Sequence, residues 1–224
     1  MIDHPGVNSA LGLLAPVVPA AAQALDLPRR LPDSHGVALT FDDGPHPEGT
    51  PAILEILGSA GLPAAFFLVG EQVARRPQLA ERILAAGHLV GLHGYRHRLQ
   101  LRMRPAEAQA DLRRGAAAIE DAVGAAPLWH RPPYGIYSTW GLEAAREAGL
   151  TPLLWSQWGK DWRKLTTPRR IAARATRGLR AGDVILLHDA DFYSARHSHR
   201  RTVEALPQII NELNRRGLDT VLPV

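Results

Sequence analysis

Two adjacent carboxylates, Asp42 and Asp43, stand before Gly44-Pro45-His46. Such a pair can divide labour, one ligating a metal while its neighbour takes a proton. Neighbouring side chains of a strand point to opposite faces. The pair therefore shares a cavity only where a strand ends, and Gly44-Pro45 is a stop signal. Taken alone, the same string also reads as a plain turn. His93 and His97 are spaced i, i+4. On a helical turn that spacing puts two imidazoles ~5–6 Å apart at Cβ, within reach of one ion. In a chain with ten histidines it also arises by chance. With Asp43 the two imidazoles make a two-His, one-carboxylate set that leaves positions for water, the make-up of a catalytic metal site. Water held there turns acidic enough to supply a nucleophile near neutral pH.

Amide or ester hydrolysis needs three further services. Asp42 is the candidate base, and His188 the candidate proton donor to a leaving group. The Pro133-Tyr134-Gly135 turn could offer a backbone N–H to a developing oxyanion. Arg131 could hold the base, and Asp161 could pair with an imidazole or guanidinium. Each residue read singly has an equally good structural explanation. Their common placement, at the ends of predicted strands, argues for a site.

Those strands are predicted from short apolar runs at Gly36–Phe41, Ala64–Val69, His88–Leu92, Leu128–His130, Pro152–Trp155, Asp183–Leu187 and Thr220–Leu222. Helical patterns separate them at Pro51–Gly58, Glu71–Ala86, Pro105–Val123, Thr139–Ala148, Pro168–Leu179 and Thr202–Arg216. Alternation implies a parallel sheet with crossover helices, either doubly wound or a barrel. Polar, Gly- or Pro-rich clusters follow five of the seven strands, where parallel α/β barrels build their active sites. We expect one catalytic domain over 36–224 and an N-terminal arm over 1–35.

Composition narrows the chemistry. The chain of 224 residues has no cysteine, which excludes disulfides, thiolate metal sites and a Cys nucleophile. Any metal must be held by His, carboxylate or water. The net charge of +4 comes from arginine, since Lys160 and Lys164 are the only lysines. The arginine pairs read as solvated helix faces, and no nucleic-acid motif accompanies them. Leu11–Leu25 is apolar but broken by Pro16 and Pro19, too short for a membrane span of ~20 residues. Met1–Ala10 offers only Asp3 and His4 where a secretory signal wants positive charge, although Ala20–Ala24 could pass for a cleavage site. An arm packed on the domain is expected, in the cytoplasm or periphery, with export through a weak signal as the alternative. A monomer is favoured.

Thr40-Phe41-Asp42-Asp43-Gly44-Pro45 resembles the first signature of the polysaccharide deacetylases with a NodB-type domain, carbohydrate esterase family 4. His93-Gly94-Tyr95-Arg96-His97, Arg131-Pro132-Pro133-Tyr134, Asp161-Trp162 and Leu186-Leu187-His188 resemble the other four, in family order. The resemblance implies an α/β fold, a distorted (β/α)7 barrel, and a metal-dependent N- or O-deacetylase of an acetylated carbohydrate. By the same resemblance Asp43, His93 and His97 hold the metal, usually Zn2+, with Co2+, Ni2+, Mn2+ or Fe2+ as alternatives. Asp42 is then the base, oriented by Arg131, and His188 the acid, tuned by Asp161. The Tyr134 N–H helps hold the oxyanion. Leu186 receives the acetyl methyl, and Trp162, Trp158 and Pro133 line the substrate site. Two positions depart from the family pattern: Gly94 where Ser or Thr is usual, and Trp158 where Asp is usual. Other readings are a hydrolase of another carbon–nitrogen bond (deformylase or cyclic-amide type), an iron oxygenase using the same donors, and an inactive carbohydrate-binding barrel.

Overall fold

The computed structural model describes residues 5–32 and 34–223. In chain order the elements are α1 (Pro5–Leu14), α2 (Pro19–Ala24), β1 (Ala38–Asp42), α3 (Gly49–Ala60), β2 (Ala65–Leu68), α4 (Gly70–Arg75), α5 (Pro77–Ala85) and β3 (Leu89–Leu92). They continue as α6 (Pro105–Val123), β4 (Trp129–His130), α7 (Thr139–Glu147), β5 (Thr151–Pro152), β6 (Gln157–Trp158), α8 (Pro168–Ala175), β7 (Val184–His188) and α9 (Ser198–Arg215). The seven strands pair in parallel in the order β5-β4-β3-β2-β1-β7-β6. The two edge strands, β5 and β6, do not pair with each other, so the sheet curls into a barrel that hydrogen bonding leaves open on one side. This is the distorted (β/α)7 arrangement of a single α/β domain.

Strands β1 and β2 are buried along their whole length, as expected where helices cover one face of a parallel sheet and a packed interior fills the other. Phe41 and Phe66 stack at 5.0 Å between ring centroids. Burying side chains of this size contributes roughly 1.5–3 kcal/mol each. Pro105 starts α6, where its missing N–H costs nothing, and Gly124 ends it at φ 74°.

The structure corrects the sequence reading at four places. Glu71–Ala86 is two helices, because Pro77 cannot donate to the preceding turn and starts a new one. Thr220 makes a lone parallel bridge to Val37 rather than a strand. The seventh strand is instead Gln157–Trp158, a pair too short to show periodicity. His93 and His97 lie on the loop after β3, not on a helical turn.

The N-terminal arm packs behind the barrel. Ala15, Ala21, Ala22 and Leu27 are buried. Ala20–Ala24, the cleavage-like string, lies within α2. Arg29 donates from Nε to the Trp155 carbonyl at 2.8 Å and from Nη2 to the Pro16 carbonyl at 3.3 Å. Arg30 pairs with the buried Asp183 at 2.5 Å. Asp3 and His4 lie outside the described residues, as do Asp33 and Val224. Among the described residues no helix is long and apolar enough to cross a membrane.

Candidate active site

The C-terminal ends of the strands open on a cavity of about 210 Å³ lined by Asp42, Asp43, His93, His97, Tyr134, Gly135, Trp155, Trp158, Trp162, Leu186, His188, Tyr193 and Ser194. Asp42 ends β1. Asp43 follows at φ 81°, a left-handed conformation that L-residues rarely adopt. That twist breaks the strand alternation and lets both carboxylates reach one cavity. Gly44 is required next, since a Cβ there would collide with the Asp189 carboxylate.

Asp43 Oδ1 is buried and lies 3.4 Å from His93 Nε2 and 3.2 Å from His97 Nε2, without hydrogen-bonding geometry to either. One ligand atom from each of the three residues lies within 4.8 Å of the others. Three donor atoms converging without satisfying one another fit a cation. Burial alone would raise the Asp43 carboxyl, but the facing His93 and His97 rings and the charge of His188 hold it well below the usual carboxylate range. His93 Nδ1 lies 2.7 Å from the Arg131 carbonyl, which fixes the Nδ1–H tautomer and frees Nε2 for ligation.

Gly94 sits at φ 81°, and a Cβ there would come within 3.0 Å of Asp111 Oδ2. The Asp111 carboxylate accepts the Tyr95 amide at 2.8 Å and the Arg96 amide at 3.2 Å. This carboxylate from α6 holds the loop through its backbone, and the tight approach explains glycine at that position.

Arg131 is fully buried. Its Nη1 donates to Asp42 Oδ1 at 2.7 Å and Thr40 Oγ1 at 2.9 Å, Nε to the Leu153 carbonyl at 2.8 Å, and Nη2 to the Leu154 carbonyl at 3.0 Å. The Phe67 ring lies 4.1 Å beneath the guanidinium. Burial lowers the Arg131 pKa, and the Asp42 carboxylate opposes that.

Asp161 is likewise buried. It accepts the His188 amide and the Thr202 hydroxyl, each at 2.8 Å, and faces His188 Nδ1 at 2.9 Å. Burial would lower His188, but the Asp161 charge and hydrogen bond, then Asp43 and Asp42, push it up to about 10. With Nδ1–H on Asp161, Nε2–H remains free to serve a substrate.

Of the remaining predicted residues, Leu186 borders the cavity. Trp155, Trp158 and Trp162 form one wall, with successive centroid distances of 5.7 and 5.3 Å. Tyr134 is at φ 63° and is 54% exposed, so it faces the mouth. Pro133 does not border the cavity; it packs behind, near Gly94. Sequence reasoning missed Tyr193, Ser194 and Asp111. The aromatic run Phe192-Tyr193, close behind the strand-end His188, was the available signal for the first two.

His46, Asp191 and His199 form a second group with ligand-like spacing. His46 Nδ1, however, accepts the Glu48 and Gly49 amides at 3.2 and 3.0 Å, at the start of α3. The neutral ring then keeps its proton on Nε2, 3.3 Å from Asp191 Oδ1, and cannot ligate there. Burial and His199 lower the His46 pKa, in keeping with a neutral ring. Asp191 Oδ2 accepts the His197 amide at 2.6 Å. The group anchors the loop between β7 and α9.

A cavity at the strand ends of a parallel barrel, lined by carboxylates and imidazoles with fixed hydrogen-bond partners, defines a hydrolase-type site. The chain matches the polysaccharide deacetylase family over residues 30–153. It is 36% identical over 193 residues to a chitooligosaccharide deacetylase from Bradyrhizobium sp., covering 83% of this chain and 88% of that one. The crystal structure of a peptidoglycan N-acetylglucosamine deacetylase superposes with a TM-score of 0.81 at 30% identity, covering 89% of this chain and 92% of that one. A family 4 carbohydrate esterase pseudoenzyme from Bacillus anthracis superposes at 0.76 with 28% identity, covering 86% of this chain and 65% of that one. The chain belongs to the polysaccharide deacetylase family, and its relatives in carbohydrate esterase family 4 are hydrolases.

Proposed function

We propose that this protein is a metal-dependent deacetylase that removes acetyl groups from an amino-sugar glycan, N-acetylglucosamine oligomers or polymers being the first substrates to try. The observation that carries this reading is the division of the site into three separately held groups around one cavity. Asp42 is held by Arg131, His188 by Asp161, and Asp43 faces two imidazoles. The names of the relatives support the substrate class.

Asp43, His93 and His97 would hold the ion, and their donor types suit Zn2+, with Co2+, Ni2+, Mn2+ or Fe2+ sharing the same set. A divalent ion there supplies Lewis-acid polarisation of a carbonyl and a more acidic water. Asp42 accepts the proton of the attacking water. The Tyr134 N–H donates to the carbonyl oxygen as charge develops on it. His188 Nε2–H passes a proton to the leaving amine or hydroxyl. Leu186 meets the acetyl methyl, and the tryptophan wall supports the sugar ring.

The test is an acetate-release screen over chitin oligomers, peptidoglycan, acetylxylan and small N-acetyl sugar conjugates. Acetate from N-acetylated sugars supports the proposal. Formate from formylated sugars would favour the other carbon–nitrogen hydrolases, and no turnover with metal bound would favour an inactive barrel like that of the pseudoenzyme.

Two variants probe the roles. His93→Ala should lower bound metal, read by elemental analysis after dialysis; unchanged content would remove His93 as a ligand. His188 must be protonated to act as an acid, and its raised pKa keeps it so until about pH 10. The alkaline limb of kcat/KM should therefore lie above the ordinary imidazole range, with a bound divalent ion offsetting the Asp43 part of the rise. Asp161→Asn removes the largest raising influence, so that limb should move down toward the ordinary imidazole range near ~6.5. An unmoved limb would break the pairing of Asp161 with the acid. The same shift acts on stability: the folded state holds the His188 proton more tightly, a contribution fully present below the ordinary imidazole pKa and lost as pH rises through about 10.

A further inference from the structure

His93 and His97 face Asp43 alike but are held in different ways. His93 has a carbonyl acceptor at Nδ1. His97 Nδ1 is buried and has no hydrogen-bond partner among the described residues. An imidazole ligand ordinarily takes its orientation from that second nitrogen, and His97 sits on a loop. Aromatic rings contact His97 instead. The Tyr193 ring lies flat on His97, with centroids 4.2 Å apart and planes 7° apart. Tyr134 meets it edge-on at 4.7 Å.

Tyr193 is itself pinned at its far end. Its hydroxyl donates to Glu71 Oε1 at 2.9 Å and accepts from Gln72 Nε2 at 3.1 Å, both on the first turn of α4. Its loop is anchored on either side, by the His197 amide on Asp191 and by the Ala195 amide on the Trp162 carbonyl at 3.2 Å. The ring is therefore a fixed plane against which the imidazole registers. An imidazole bound to a cation is electron-poor, and the face of a phenol ring favours it.

We propose that Tyr193 is a positioning residue for the metal centre, holding the plane of His97 by stacking where His93 is held by a hydrogen bond. The inference rests on the reading of Asp43, His93 and His97 as metal ligands. Its occupancy consequence is specific: the aromatic face matters more than the hydroxyl.

The test compares the wild-type chain with Tyr193→Phe and Tyr193→Leu, measuring Zn2+ affinity by chelator competition and the visible spectrum after Co2+ substitution. Melting of the metal-free proteins checks that each variant folds. Tyr193→Leu should weaken Zn2+ binding about 10-fold or more, the usual cost of losing an outer-shell partner, and change the Co2+ bands. Tyr193→Phe should keep most of the affinity that Tyr193→Leu loses, since the stack remains. Equal affinity in all three proteins would overturn the inference, as would equal losses in both variants, which would place the effect in the hydroxyl. Where leucine does not fold, Tyr193→Met fills the same space without a ring and is read in the same way. A wild-type chain that binds no Zn2+ would instead overturn the underlying ligand assignment.

Discussion

Asp42→Asn is expected to lower kcat about 10³-fold, within the range for losing a positioned general base, while bound metal stays at the wild-type level. The amide has the shape of the carboxylate and can still accept from Arg131 Nη1, which lies 2.7 Å from Asp42 Oδ1. It cannot take a proton from water. The variant also leaves the guanidinium buried without an opposite charge, at a cost of about 3 kcal/mol. In a chain of this size that lowers Tm by roughly 6–12 °C. Steady-state acetate release, elemental analysis and a thermal melt read the three effects separately. Near-normal turnover would remove Asp42 as the base.

Arg131→Met should be the most destabilising single change in the site, at about 3–5 kcal/mol, with activity falling as well. Arg131 donates to four partners: Asp42, Thr40 and the carbonyls of Leu153 and Leu154. Methionine fills much of the space but satisfies none of them, and leaves the Asp42 carboxylate buried and alone. A crossing variant separates charge from packing. Asp42→Leu/Arg131→Met removes both charges and should recover part of the stability lost in Arg131→Met, because the stranded carboxylate is gone. It should recover no activity. Chemical denaturation of the three proteins measures this, and a double variant no more stable than Arg131→Met would assign the loss to the unsatisfied carbonyls instead.

What could be read from the residues and what could not divides along physical lines. Asp42-Asp43 and His188 were legible because they end or follow buried apolar runs long enough to mark strand ends, whereas Arg131 follows only the two-residue β4 and was carried by its motif. Asp161 was legible only through the motif, since its loop has no periodicity. The seventh strand was assigned to Thr220–Leu222, an apolar triplet that makes one bridge, because Gln157–Trp158 is too short and polar to stand out. His93 and His97 were rightly seen as neighbours for the wrong local reason. A loop shaped by Gly94 and clamped by Asp111, not a helical turn, brings them together. Asp111 itself was invisible, being one acid among many on an amphipathic helix. Tyr193 offered only its place close behind His188 as a signal, because which ring faces which across a loop is decided by contacts far apart in sequence, to Glu71, Gln72 and His97. The backbone at Asp43 and Tyr134, both at positive φ, belongs to the same class. Strain at such positions is sustained by surrounding structure rather than by local preference.

The N-terminal arm separates two lengths that are easily taken as one. The match to the polysaccharide deacetylase family over residues 30–153 begins immediately after Arg29. Arg29 ties the Trp155 carbonyl to Pro16, and Pro16 lies behind Gly135, where a Cβ would come within 3.3 Å of its ring. Trp155 and Gly135 both border the cavity. The start of that matched span thus lies inside the stretch that must travel together to keep the rear wall of the cavity in place. A chain cut at residue 30 would retain all five motifs and lose the back of the vessel they open into.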